Sequence, residues 1–381
     1  MNKLTPLRQF GLALIIASPS LAMLPKFSVL LPIPIFVITV GIAGLTNKFV
    51  KQEASAWRMI LYFILWLACL FAIAQAWVPE IDSGGDRDEA LDIAVRELLM
   101  GNYPYYPQTH LGNPISPLPG ALLFSAPFVL LGDSAYQNFF WLSVLAIAFG
   151  HWYQDAKLTL VLLITILASP MIFLDVLFGG DLLTNNIYFL VALVWFVRTR
   201  YKPSASVPWW PSVFLGVALA SRPNFLFWLP LIFAFLLSQG QDLIWLTKRL
   251  LIAVSLAGAL TVPFYLYDPS HFSPLQALAK VDVVPSLHIG AIIVVITALS
   301  ALGLSFFTRS QTCFFFFGSL VQAIPVVLAV GLSIVTQETP VVLNDRTSYA
   351  LNFVLPGILA VLPYGSGKRE PELSLDEANS L

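Results

Sequence analysis

Apolar runs of near-spanning length recur along this chain, and they leave little choice of solvent. They fall near residues 10–24, 28–45, 59–78, 136–150, 158–174, 182–198, 250–267, 286–307, 312–335 and 348–364. A helix needs about 20 apolar residues to cross a hydrocarbon core, fewer where the bilayer thins. With a mean hydropathy of +0.81 and only 11% charged residues, the chain cannot enclose so many apolar segments in a polar surface of its own. The expectation is an all-α, polytopic transmembrane bundle of about twelve helices. A formal net charge of −1 without a basic stripe argues against nucleic acid as a partner. Cys69 and Cys313 both lie in apolar stretches, far apart, so neither a disulfide framework nor a thiolate metal site is indicated. The run behind Lys3 and Arg8 imitates a secretory signal, but a second run follows almost at once, so it reads as the first anchor.

Charge then orients the runs. Lys48, Lys51 and Arg58 separate the second run from the third and place that loop in the cytoplasm by the positive-inside rule. Lys157, Arg198, Arg200, Lys202, Lys248, Arg249, Arg309, Lys368 and Arg369 fall on the same side, leaving Lys26, Arg87, Arg96, Arg222, Lys280 and Arg346 outside. Residues 1–364 thus form a single membrane domain, with 79–120 as an external loop and helix, and 365–381 form a polar cytoplasmic tail. No fixed-period repeat or two-half symmetry is evident, which weakens a transporter built from inverted repeats.

One polar island breaks the pattern. Asp82-Ser83-Gly84-Gly85-Asp86-Arg87-Asp88-Glu89 runs into a helix in which Leu91, Ala94, Val95 and Leu98 share one face. Asp88, Glu89, Asp92 and Arg96 share the opposite face, as in a helix lying on a membrane surface. The simpler reading of its head is a capping box, Asp86 with Glu89. A cap needs only one or two acids, and the helix dipole tolerates the rest in ionised form, so a catalytic carboxylate is the competing reading.

Residues 102–120 carry five prolines and three tyrosines and cannot form a continuous helix. Tyr103, Tyr105 and Tyr106 suit headgroup depth, where they anchor the interface or stack on a sugar. The run at 121–131 is short for a span and suggests a half-inserted helix. The stretch 211–238 reads as two short helices meeting at Ser221-Arg222-Pro223-Asn224, because Pro223 disfavours helix at Arg222 and an arginine in mid-bilayer is costly unless it reaches water or an anion. Arg222 then faces the side that carries Asp86.

The acidic first external loop with Gly85-Asp86, the helix ending Leu98-Leu99-Met100-Gly101, the segment Asn113-Pro114-Ile115-Ser116-Pro117-Leu118-Pro119 and the later Gly216-Val217-Ala218-Leu219-Ala220-Ser221-Arg222-Pro223 resemble the GT-C superfamily of integral-membrane glycosyltransferases. The nearest branch is the bacterial polyprenyl-phosphate-mannose-dependent type. The resemblance covers roughly residues 59–270 through loose motifs. It implies a plasma (inner) membrane enzyme that moves a sugar, mannose or a similar hexose or pentose, from a polyprenyl-phosphate donor to a lipid, glycan or protein acceptor on the external face. It also implies a general base at Asp86, with Asp88 the close competitor, and Arg222 where the family has a cation ahead of proline near the donor. Gly179-Gly180-Asp181 with Asn185 and Asn186 stands where the family has Gly-Gln-x-Asn, with Asp181 in place of an amide.

Such a reaction needs a carboxylate to deprotonate the acceptor and a cation to stabilise the departing phosphate, with single displacement, inversion and no cofactor. Asp181, Asn185 and Tyr105 are further candidates for the substrate. His271 and His288, beside the loop 268–289, are candidates for the donor phosphate; an external histidine that is simply solvated is the blander account. Arg222 also has a structural reading, bonding carbonyls freed by Pro223. Asp82, Asp86 and Asp88 do not make a calcium loop, and no spaced histidine set accompanies them, so no metal is expected. The competing functions are a multispanning transporter or lipid flippase, whose sign would be charges buried in spanning helices, and a non-catalytic scaffold.

Overall fold

In a computed structural model of the chain the described residues are 11, 12, 14–16, 20, 56–77, 86–199, 208–275, 288–336 and 348–362. The run at 28–45, most of 10–24, Asp82–Gly85, Lys280, Arg346 and the tail 365–381 lie outside them. The described part is helical, with thirteen α-helices and one 3-10 helix, and among these residues the only β pairing is a single bridge, Gln108 with Pro114.

The helices are α1 Ala56–Trp77, α2 Arg87–Leu99, α3 Pro119–Leu130, α4 Tyr136–Tyr153, α5 Ala156–Leu167, α6 Pro170–Leu177 and α7 Leu182–Arg198. They continue with α8 Trp210–Leu219, a 3-10 turn Pro223–Trp228, α9 Leu229–Ser238, α10 Leu243–Tyr267, α11 Ile289–Ser305, α12 Gln311–Val335 and α13 Leu351–Val361. Two of them, α10 and α12, are long and apolar enough to cross a membrane. The chain offers a third if α5 and α6 count as one span bent by 79°. That bend departs from the straight run expected at 158–174: Pro170 begins a new helix, which turns at buried Ser169. Among the described residues, shorter apolar helical stretches of 10–17 residues accompany them, including Ile60–Cys69 within α1. The break at 221–224 falls where Pro223 places it, with Arg222 extended at φ −148°, ψ 134° between α8 and the 3-10 turn.

Local chemistry explains the ends. Asp155, Asp242 and Ser310 cap α5, α10 and α12 by accepting the backbone N–H three residues on, at 3.0, 2.7 and 3.1 Å. α2 ends in a Schellman motif, with Asn102 N donating to Glu97 O at 2.9 Å, Gly101 N to Leu98 O at 3.1 Å, and Gly101 at φ +80°.

A large core gathers α4, α7, α8, α9, α12 and α13 around Phe149, Tyr188, Phe225 and Trp228. A smaller one lies under α2 and α3, where Leu91, Ala94 and Val95 meet Tyr105, Ile115, Leu122 and Phe272. Leu98, the fourth member of the predicted face, is only partly covered. α10 keeps most of its apolar surface exposed, including Leu251, Val262 and Leu266, as a lipid-facing helix does.

Candidate functional site

Asp86 occupies the N-cap position of α2, but its carboxylate does not cap the helix. Its Oδ2 accepts from Thr109 Oγ1 at 2.5 Å and from Asn113 Nδ2 at 2.8 Å. Glu89 accepts from the backbone N–H of His110 at 3.0 and 3.1 Å and pairs with the His110 ring. The capping box, one of the two readings of these acids, is therefore absent. A turn closed by Thr109 N to Asn113 O (3.0 Å), with Gly112 at φ +74°, brings better-placed donors than the helix's own amides. Both acids fasten the segment 108–114 onto the head of α2.

Asp88 stands elsewhere. A Cβ on Gly179 would lie 3.0 Å from its Cβ and 3.2 Å from its Oδ2, and 2.9 Å from the Cβ of Ala135. Gly179 has φ +71°, so glycine both fits the backbone and lets α2 approach. Burial pushes the Asp88 carboxyl up to about 6, the Glu89 amide opposes, and the charges of Asp133 and Asp92 add to the rise. Burial also raises Asp92, whose carboxylate accepts from Ser134 N at 2.8 Å and pairs with Arg96 at 3.1 Å.

Beneath Asp88 lies a second polar group. Gly180 N donates to Asp175 O at 2.6 Å, and a side chain at Gly180 would collide with the Asp175 carboxylate. Asp181 is fully buried; its Oδ2 accepts from Asn185 Nδ2 at 3.0 Å and forms an ion pair with Arg222. Tyr188 donates to Asn185 Oδ1 at 2.5 Å. Arg222 is brought here by backbone docking of α3 on the end of α8: Leu118 N donates to Ser221 O at 3.3 Å and Gly120 N to Ala220 O at 2.8 Å. A Cβ on Gly120 would collide with the backbone of Val217 and Ala220, so glycine permits that approach. The charges of Arg87 and Arg222 both act on Asp175. Arg87 also donates to Ser348 Oγ at 2.9 Å and lies over the Tyr349 ring at 5.1 Å.

The structure therefore gathers Asp181, Asn185 and Arg222 just after the Gly179-Gly180 turn, while Asp88 meets that turn at Gly179 and Asp86 faces the 108–114 turn. It does not gather the others. Tyr105 is in the smaller core, its hydroxyl donating to Pro117 O at 3.1 Å and its ring against Tyr103, Phe264 and Phe272. Neighbouring rings and the Pro117 carbonyl already occupy its ring and hydroxyl. His271 lies beyond α10, paired with Asp268 at 2.8 Å and set edge-on to Tyr106. Ser270 above all, with His271 and Tyr106, holds the Asp268 carboxyl down to about 2. His288 is exposed at the start of α11. Between the ends of α2 and α10 opens an apolar groove of about 280 Å³, lined by Leu98, Tyr103, Pro104, Phe264 and Tyr267.

Sequence reasoning missed Asp175, Arg87, Tyr188, Thr109 and Asn113. Asp175 left a signal as a lone acid inside an apolar run. Thr109 and Asn113 left none, because an external Thr or Asn is ordinary until a carboxylate is found against it. No group of three His, Cys, Asp or Glu among the described residues is placed to hold a metal ion. Comparison with known protein families, with curated proteins and with solved structures finds no significant match, so the evidence for function is the chemistry of these side chains.

Proposed function

We propose that this chain is a multispanning membrane glycosyltransferase of GT-C type, with about twelve helices, that uses a polyprenyl-phosphate sugar donor on the external face of the plasma membrane. Asp88 is the general base. The observation that carries the reading is this half-buried carboxyl, raised to about 6, beside the Gly179-Gly180 turn that leads to the Asp181–Arg222 pair. A base with a pKa near neutrality is ionised at physiological pH and still accepts a proton readily.

In the proposed step the acceptor oxygen attacks the anomeric carbon while Asp88 takes its proton. The bond from that carbon to the phosphate oxygen breaks, and the electron pair leaves with the polyprenyl phosphate. Arg222, exchanging Asp181 for the phosphate, stabilises that charge, with Arg87 contributing to the same field. Asp86 organises the 108–114 turn over the site. The groove at the far end of α2, about 15 Å from Asp88 at 1.5 Å per residue, suits an isoprenoid chain. Lipid or glycan is the acceptor.

A transporter or flippase is the second reading, and one observation favours it: Asp175 and Asp181 are buried charges within the helical body. Purified protein in liposomes, offered a panel of radiolabelled polyprenyl-phosphate sugars together with membrane lipids, separates the two. Covalent transfer to the lipid supports the enzyme. Movement of intact donor across the bilayer with no transfer would reject it in favour of transport.

A further inference from the structure

Nine buried side-chain polar atoms among the described residues have no hydrogen-bond partner, and six of them share one neighbourhood: Gln137 Nε2, Asn138 Nδ2 and Oδ1, Trp141 Nε1, Asp181 Oδ1 and Arg222 Nε. Buried polar groups in folded proteins are nearly always paired, so a cluster of this kind asks for a cause. Gln137 and Asn138 are 1% and 0% exposed. Residues three and four apart share a helix face, which puts Trp141 on the same side of α4 as both amides. That face has two contacts across the seam, one with the turn before α7 and one with α7 itself. Ala135 meets Gly179 at its upper end, and Trp141 packs edge-on against Tyr188, with ring centroids 5.4 Å apart, at its lower end. Asn138 is three residues from both Ala135 and Trp141, on a helix that packs against α7, whose N-cap is Asp181.

From this geometry we infer that the first two turns of α4 read the hydroxyls of a sugar headgroup, with Asn138 as the principal specificity residue and Gln137 and the Trp141 N–H beside it. This rests on the proposed transferase reading and deepens it. A primary amide suits the task, since it donates and accepts and so can bond a vicinal diol, while Arg222 takes the attached phosphate. Both polar atoms of the Asn138 amide are buried and unpartnered, so donor and acceptor are both available to a ligand.

The test is binding to the full chain in nanodiscs, with mannose 1-phosphate, its citronellyl-phosphate-linked counterpart and inorganic phosphate as probes. Wild-type protein should prefer both sugar probes to inorganic phosphate. Asn138→Leu should bind the sugar probes about tenfold more weakly, as a lost polar contact predicts. It should bind inorganic phosphate unchanged and melt no lower than wild type, because leucine removes an unmet polar group. Arg222→Gln should weaken all three probes. Tighter binding of the citronellyl probe than of the free sugar phosphate supports a lipid-linked headgroup; equal binding supports the same wall reading a free sugar phosphate. A wild type without preference for sugar, or an Asn138→Leu variant that melts lower and keeps its sugar preference, would overturn the inference. Sugar preference without transfer to any acceptor would leave the reading wall in place and count against the transferase.

Discussion

The head of α2 and the seam beneath it each carry a carboxylate at a helix start, Asp86 at that of α2 and Asp181 at that of α7, yet they treat polar groups in opposite ways. At the head, Asp86 and Glu89 accept from Thr109, Asn113 and His110, so each carboxylate is matched by donors of a single turn. In the seam, Asp181 and Arg222 are paired with each other and still leave Oδ1 and Nε unmet. Unmet capacity in a buried site costs about 1–3 kcal/mol per group, and a fold retains it where something else depends on it. The difference separates an acidic cluster that holds a loop from one that keeps unmet polar capacity.

The seam should break hardest. Removing Arg222 with Arg222→Ala leaves Asp181 buried and unpaired, and about 3–5 kcal/mol of stability should go, read as unfolding in detergent. The double change Asp181→Asn with Arg222→Gln should recover most of it, since no lone charge then remains. A single Arg222→Ala within 1 kcal/mol of wild type would mean that the pair is solvated.

Gly179→Val comes next. Its φ of +71° and the closeness of Asp88 and Ala135 leave no room for a branched side chain, and a loss of about 2–3 kcal/mol should accompany displacement of Asp88. Gly112→Ala in the turn meets no neighbour and bears only its positive φ of +74°, for a loss of about 1 kcal/mol.

Asp88 supplies the pH dependence. Its folded pKa lies above the unfolded aspartate value, so the folded state holds more protons between about pH 4 and 6. Stability contributed by this group therefore falls as pH rises through that window. Asp88→Asn should be more stable than wild type at pH 8, by up to about 2 kcal/mol, and the advantage should vanish near pH 4. A melting-temperature difference that is flat between pH 4 and 8 would contradict the burial of this carboxyl.

The smallest effect belongs to the head. Thr109→Val removes one of the two donors to Asp86 and should cost about 1 kcal/mol, with loosening of the 108–114 turn visible as faster amide exchange at Asn113. A loss as large as that of Arg222→Ala would erase the contrast between the two regions.

Much of the helical layout was legible. The face Leu91–Ala94–Val95, the run Leu182–Arg198 and the break at Arg222-Pro223 follow from periodicity and from what proline forbids. The bend between α5 and α6 was less so, because Ser169-Pro170 interrupts hydropathy by only a residue or two while redirecting the chain by 79°. The site was legible in part. Asp88, Asp181, Asn185 and Arg222 could be named from sequence, but their meeting depends on Gly120 and Gly179 letting helices touch, which is a property of tertiary packing. The partners of Asp86 in the 108–114 turn were invisible for the same reason.

The most direct test of the account is sugar transfer from polyprenyl-phosphate mannose to membrane lipid by purified wild-type protein, Asp88→Asn and Asp86→Asn, measured between pH 5 and 8. Wild-type transfer should rise with pH through about 6 and level off, as the Asp88 carboxyl loses its proton. Asp88→Asn should lose about 10²–10⁴-fold in rate and that pH dependence with it, while Asp86→Asn keeps the profile and most of the rate. Full turnover by Asp88→Asn, or transfer abolished by Asp86→Asn alone, would contradict the assignment of the base.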